Sequence, residues 1–165
     1  MMYNAQEKYE YMVDTYYAPL YRLLYGYCRN KQDAEDCVQT AYLKLWQCKK
    51  QFLSEVHAKN WLYQVAVNCA RDLYRQKWSK TELLTEDISY IPEDIPFARE
   101  DAVVLFEGLA ALREEYRMVI LLYYYEEYSV KEIGKIMDVK ENTVTTWLAR
   151  ARGQLRSGLE EEYGA

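Results

Sequence analysis

The chain of 165 residues is poor in the residues on which catalytic and metal-binding sites usually depend: it has one histidine, four cysteines, six glycines and three prolines. His57 stands alone, and Cys28, Cys37, Cys48 and Cys69 form no C-x-x-C pair, a spacing that argues against zinc. Each cysteine lies within or beside an apolar helical pattern and is expected to be a reduced, buried thiol. The sparse glycines build no phosphate-cradling loop, and neither H-E-x-x-H nor a nucleophile elbow is present. The expectation is a protein without catalytic residues, cofactor, metal or small-molecule substrate, and so no enzyme. No window reaches the roughly eighteen consecutive apolar residues of a membrane span, and the polar N-terminus lacks a signal-peptide pattern. A cytoplasmic protein without direct membrane insertion is expected. Acidic side chains outnumber basic ones, 26 to 21, and the net charge of −5 at first weighs against a nucleic-acid partner.

What is present changes that reading. Half of the residues are apolar, enough for one core or two small ones. The charge is unevenly spread: residues 1–80 hold 12 basic and 8 acidic side chains, residues 81–107 hold 1 and 8, and residues 108–165 hold 8 and 10. Such asymmetry suggests basic surfaces separated by an acidic connector.

From Tyr9, the positions Met12, Val13, Tyr16, Tyr17, Leu20, Leu23, Leu24 and Tyr27 keep helical spacing, and Pro19 is expected to kink or divide that helix. Asp33 is expected to cap a second helix that buries Ala34, Cys37, Val38, Ala41, Tyr42, Leu45 and Trp46. Its other face carries Glu35, Asp36, Gln39, Thr40 and Leu43, a mixture of acid, amide, hydroxyl and bare leucine that suits a protein partner, or plain solvent. After a loop at residues 52–57, a third helix from about Ala58 to Trp78 is expected to bury Trp61, Leu62, Val65, Ala66, Cys69 and Leu73. Its polar stripe is Gln64, Asn68, Arg71 and Arg75. Trp61, Tyr63, Tyr74 and Trp78 put rings beside those cations, either to support unstacked bases or simply as core beneath solvated arginines.

Residues 79–100 break the period: Pro92 and Pro96 lie among Glu82, Glu86, Asp87, Glu93 and Asp94, the composition of an extended acidic linker. Helical spacing resumes with Val103, Phe106, Leu109 and Leu112, and the apolar run from Tyr116 to Tyr125 must be buried on most sides. With no strand pattern, the fold is expected to be all-α, with two small helical domains at residues 1–80 and 101–165 joined by an acidic linker at 81–100.

The segment Ser129 to Arg156 reads as a helix-turn-helix. Ser129 and Glu132 can form a capping box, Ile133, Ile136 and Met137 share a face, and Gly134 leaves room for a second helix to cross closely. The first helix should end near Asp138, a residue that tolerates left-handed backbone. The second, from about Glu141, sets Val144, Leu148, Ala151 and Leu155 on one stripe and Asn142, Thr145, Thr146, Ala149, Arg150, Arg152 and Arg156 on the other side. That polar side can bond base edges and phosphates in a major groove, although an ordinary helical hairpin shows the same pattern.

Taken in order, DAEDCVQTAYLKLW (Asp33–Trp46), WLYQVAVNCARDLYR (Trp61–Arg75), LREEYRMVILLYYYEEYSVKEIGKIM (Leu112–Met137) and TVTTWLARAR (Thr143–Arg152) resemble the small two-domain sigma factors of bacterial RNA polymerase, the extracytoplasmic-function group. The likeness covers nearly the whole chain. It implies a sigma region 2-like domain at residues 1–80 and a sigma region 4-like domain at 101–165, with core RNA polymerase and promoter DNA as partners. It also allows an anti-sigma factor that holds the protein at the membrane. By the resemblance Asp36, Gln39, Thr40 and Leu43 contact the polymerase. Gln64, Asn68, Arg71 and Arg75, with the loop before their helix, hold the melted −10 element. Lys131, Asn142, Thr143, Thr145, Thr146 and Arg150 contact the −35 element, and the linker carboxylates mimic a nucleic-acid backbone.

The chain departs from the family in three places. Arg113 follows Leu112 where many members have proline, Asp138 stands where glycine is usual, and Thr145 and Trp147 replace a lysine and an arginine. Fewer cations mean weaker phosphate attraction, so base readout would rest on Asn142, Thr145 and Thr146, and Trp147, at the edge of the buried stripe, is either core, the favoured role, or a contact to a thymine methyl, or both. Two other functions fit the same residues: a helix-turn-helix regulator that works without polymerase, and a helical adaptor that has lost promoter binding.

Overall fold

The computed structural model describes residues 5–79 and 107–162. The chain divides into two compact units, Met1–Lys80 and Thr81–Ala165, each described by itself. The described residues form helices and no strand. The expected linker at 81–100, and with it Val103 and Phe106, lies outside them.

The first unit packs three helices against one another: α1 (Ala5–Cys28), α2 (Lys31–Gln47) and α3 (Glu55–Ser79). Pro19 does not divide α1, which runs unbroken through it. An internal proline costs a helix about 3 kcal/mol, but the turns after it bury Leu20, Leu23 and Leu24 almost completely. Three such side chains contribute roughly 1.5–3 kcal/mol each, so packing wins. The Tyr42 hydroxyl of α2 donates to the carbonyl of Met12 at 2.8 Å, pinning the middle of α2 to α1.

Helix α2 begins earlier than expected. Asn30, not Asp33, is the cap: its side chain accepts from the Asp33 backbone N–H at 2.9 Å. Asp33 instead sits in the first turn, where a carboxylate is favoured by the helix dipole, and its side chain pairs with Lys77 near the end of α3. Helix α3 also starts a turn early, because the Ser54 hydroxyl accepts from the His57 N–H at 3.1 Å.

In the second unit, a helical stretch at residues 107–111 leads into α4 (Glu114–Ile120), which continues as a wide π-turn at Leu121–Tyr125. Arg113 caps α4 with φ −57°, a value proline would also adopt, so the replacement leaves the helix start where a proline would put it. Tyr116 and Met118 to Leu122 are buried, whereas Tyr123 and Tyr125 are half-buried and Tyr124 is exposed. The buried run is therefore shorter than expected. Glu127, at φ 57°, closes the turn before α5 (Val130–Met137) and α6 (Glu141–Glu162).

Helix α5 carries the expected capping box. Glu132 N–H donates to the Ser129 hydroxyl at 3.1 Å, and Ser129 N–H donates to the Glu132 carboxylate at 3.3 Å. Asp138 ends the helix in left-handed backbone, φ 57° and ψ 51°. A Cβ on Gly134 would stand 2.9 Å from the Val139 carbonyl oxygen, so glycine is what allows the turn into α6 to pass this closely. Val144, Leu148 and Ala151 of α6 are buried beneath that turn.

Candidate protein- and DNA-binding surfaces

On α2 the residues Asp36, Gln39, Thr40 and Leu43 follow one another at three- and four-residue steps and share a stripe turned away from the core. Asp36 and Gln39 are exposed, Thr40 is half-buried, and Leu43 is 55% exposed. The stripe is pre-ordered: Gln32 donates to Asp36 at 2.8 Å, and the Thr40 hydroxyl donates to the Asp36 carbonyl at 2.8 Å. Trp46, expected in the core, is 58% exposed; on the last turn of α2 its ring forms a T-shaped pair with Tyr9, the centroids 4.9 Å apart. With Leu43 it makes a neighbouring pair of bare apolar side chains on the final turns of α2.

The loop into α3 is organised by rings. Phe52 meets His57 edge-on at 5.3 Å and Trp61 at 5.6 Å, and His57 Nδ1 accepts from the Leu53 N–H at 3.2 Å. The Leu53 side chain is left 94% exposed. At the start of α3, Glu55 Oε1 accepts from the hydroxyls of Tyr11 at 2.9 Å and Tyr16 at 2.5 Å. These bonds, Tyr16 first, lower the Glu55 pKa from its ordinary value, and burial together with the same bond pushes the Tyr16 phenol pKa upward. The loop thus leaves a fixed helix end.

The polar residues of α3 share a stripe but are not equally exposed. Asn68 and Arg75 are exposed, Gln64 is half-buried, and Arg71 is buried at 8% exposure, so its expected place on an open surface is corrected. Arg75 lies 3.7 Å from Asp72, an exposed pairing of little energetic weight. Tyr63 is wholly buried and cannot support a base in this form; Trp61, expected in the core, is half-buried beside Phe52, and Tyr74 is half-buried. Val65, Cys69 and Leu73 are only half-buried, while Val67 and Ala70 fill the core. The side chain of Trp78 lies outside the described residues.

In the helix-turn-helix, Lys131 of α5 and Asn142, Thr145, Thr146 and Arg150 of α6 are exposed, and Thr143 is half-buried. The Thr145 and Thr146 hydroxyls donate to the carbonyls of Glu141 and Asn142 at 3.1 and 3.0 Å. Their protons are thus engaged, leaving oxygen lone pairs and methyl groups for a partner. Trp147 is half-buried, between the two roles considered for it. Arg152 is tethered at one end: its Nε donates to the Tyr124 hydroxyl at 2.6 Å, and its guanidinium lies 5.7 and 5.8 Å from the Tyr123 and Tyr124 ring centroids. Leu155, expected on the buried stripe, is half-buried. Among the described residues no helix is long and apolar enough to cross a membrane.

The sequence matches two families: Sigma-70 region 2 over residues 12–80, and Sigma-70, region 4 over residues 104–155. It is 30% identical to the ECF RNA polymerase sigma factor SigW of Bacillus subtilis, over 94% of this chain and 91% of that protein. It is also 30% identical to the RNA polymerase sigma factor SigV of the same organism, over 86% and 85%. Among solved structures, the sigma factor RpoE of Bartonella quintana, crystallised with the anti-sigma factor NepR, shares the fold with TM-score 0.77 at 19% identity, over 93% of this chain and 97% of that one. CnrH, solved with the cytosolic domain of CnrY, gives TM-score 0.67 at 20% identity, over 94% and 90%.

Proposed function

The chain belongs to the extracytoplasmic-function sigma factors of bacterial RNA polymerase, and from that membership we propose how its surfaces divide the work of starting transcription. As a sigma factor it binds core polymerase and promoter DNA in transcription initiation. Asp36, Gln39, Thr40 and Leu43 on α2 grip the polymerase. The carrying observation is that this pre-ordered polar stripe leads to Leu43, a large apolar side chain left in solvent on a helix that buries Ala34, Cys37, Val38, Ala41 and Tyr42 on its other side.

The loop before α3, with Asn68, Arg75 and the half-buried Gln64, receives the melted −10 strand. Arg71 contributes from beneath by holding α3 in place. Asn142, Thr145, Thr146 and Arg150, flanked by Thr143 and Lys131, read the −35 element. The protein supplies no chemistry of its own: bond formation belongs to the polymerase. It works in the cytoplasm, and the fold neighbour RpoE, solved with the anti-sigma factor NepR, supports a comparable inhibitor for this chain.

Run-off transcription from genomic promoter fragments with added core enzyme tests the whole reading; no core binding in a pull-down and no transcript would reject it. The α2 assignment is separable. Replacing Asp36 and Gln39 together by alanine removes two exposed side chains, so folding should be unchanged while core affinity falls at least tenfold, which is about 1.4 kcal/mol. Unchanged affinity rejects that assignment alone.

A further inference from the structure

Three of the four cysteines converge where the helices of the first unit meet. The Cys69 thiol of α3 donates to the Cys37 sulfur of α2 at 3.3 Å, and Cys37 is also within hydrogen-bonding reach of Cys28 at the end of α1. Only Cys37 is fully buried, which corrects the expectation of four buried thiols; Cys28, Cys48 and Cys69 are partly exposed. All four are free thiols. Small residues surround the pair: Ala34 and Ala41 flank Cys37, and Ala66 and Ala70 flank Cys69, all of them buried. Alanines at these steps let two helices approach closely, which a bond between the sulfurs requires. Cys69 also lies within hydrogen-bonding reach of Thr40 on the stripe assigned to the polymerase.

We propose that Cys37 and Cys69 are an oxidisable dithiol, in which a hydroperoxide drives a disulfide between α2 and α3 beneath the polymerase-binding stripe. The partly exposed Cys69 meets the oxidant first. Its sulfur attacks the peroxide, the O–O bond breaks, and a sulfenic acid and one water (from hydrogen peroxide) result. The Cys37 sulfur then attacks the Cys69 sulfur, expelling a second water and forming the S–S bond. Two thiols have lost two electrons and the peroxide has gained them. Hydrogen bonding to Cys28 first, and burial next, pushes the Cys37 thiol up to about 12, and bonding to Cys37 pushes Cys69 upward too. Since the thiolate is the nucleophile, the reaction is slow at neutral pH and responds to sustained oxidant, not to traces. In the disulfide, the Cys69–Cys37 hydrogen bond is replaced by a covalent one, and α2 is tied to α3 under Thr40. Loss of polymerase affinity follows if the reading of α2 given above holds; the disulfide itself does not depend on that reading.

The test treats the full chain with hydrogen peroxide, alkylates the remaining thiols and maps peptides by mass spectrometry. A linked Cys37–Cys69 peptide pair, reversed by dithiothreitol and formed about tenfold faster for each unit of rising pH between 7 and 9, is expected. Cys48→Ser should keep the link. Oxidation of Cys48 with the other three still alkylatable, a Cys28–Cys37 link instead, or sulfinic acids without any link overturns the proposal. Wild-type mapping decides this even if cysteine variants fold poorly. Core affinity measured before oxidation, after it and after reduction separates the two claims. A fall of fivefold or more that dithiothreitol restores is expected, and an unchanged affinity with the link formed overturns the effect on polymerase. Reduced protein that never binds core rejects the assignment of α2 while leaving the disulfide standing.

Discussion

Gly134→Ala in the helix-turn-helix sets two effects of opposite sign against each other. By helix propensity alone, alanine should stabilise the middle of α5 by about 0.8–1 kcal/mol. The new Cβ, however, would lie 2.9 Å from the Val139 carbonyl oxygen, with the Glu141 nitrogen at 3.8 Å and the Lys140 carbonyl carbon at 3.9 Å. The close partner is backbone in a tight turn whose own hydrogen bond, Val139 N–H to the Gly134 carbonyl at 2.9 Å, holds it in place. A side chain cannot swing aside, so α6 must move by about half an ångström or the turn must open. Overpacking of this kind costs roughly 1–3 kcal/mol. The net expectation is destabilisation of the second unit by about 1 kcal/mol. Amide hydrogen exchange of peptides across residues 130–150 reads this without confusion from the first unit. Exchange should quicken by about fivefold, since 1.4 kcal/mol corresponds to tenfold. Slower exchange in the variant would show that the turn yields freely and would refute the reasoning.

Thr145→Lys puts back one exposed cation on the recognition helix. Holoenzyme binding to a −35-containing promoter should tighten severalfold at low salt, and the slope of log affinity against log salt should steepen by about 0.9; an unchanged slope would mean that Thr145 faces no phosphate. Asp138→Gly relieves left-handed backbone at φ 57° and should raise the denaturation midpoint of the second unit by up to about 1 kcal/mol in stability; a lower midpoint would show that the aspartate side chain stabilises the turn. Glu55, whose folded pKa is lowered by the Tyr16 and Tyr11 hydroxyls, contributes stability above its ordinary pKa near 4.5 and loses it as pH falls through the lower folded pKa. Because Glu55 is exposed, the effect is small: acid titration below pH 5 should loosen hydrogen exchange at the start of α3 in the wild type and not in Glu55→Gln. Equal pH dependence in the two would assign the loosening to another group.

Local signals were the readable part of the chain. Ser129 and Glu132 announced a capping box, and Asp138 announced a left-handed stop, because each acts through its own few residues of backbone. Cap assignment failed where two candidates lay one turn apart: Asn30 and Ser54 start α2 and α3, whereas Asp33 and Ala58 looked like the natural beginnings. Helix α3 was harder. A single apolar stripe was expected, yet α3 packs against both α1 and α2 and buries Leu62, Tyr63, Ala66, Val67, Ala70 and Arg71 around a wider arc. Periodicity finds one face; it does not show that a second neighbour covers the flank. Trp46 erred in the opposite direction, since the repeat of α2 outlasts the partners that could bury it. Arg152 sat on the polar side of α6 as expected, but its link to Tyr124 joins residues 28 apart, beyond any local pattern.

The choice of Asn30 over Asp33 as the cap of α2 reaches further than one helix start. A capping aspartate would spend its carboxylate on backbone amides; relieved of that duty, Asp33 holds Lys77 in the last turns of α3. The pair ties together positions 44 residues apart, so it can form only after both helices have docked and closes the first unit like a clasp. It also lies just ahead of the point where the chain leaves that unit. Whatever pulls on the polypeptide beyond α3 therefore works first against an ion pair rooted at the head of α2. Asp36, proposed above as a polymerase contact, lies three residues along that same helix, one turn from the clasp.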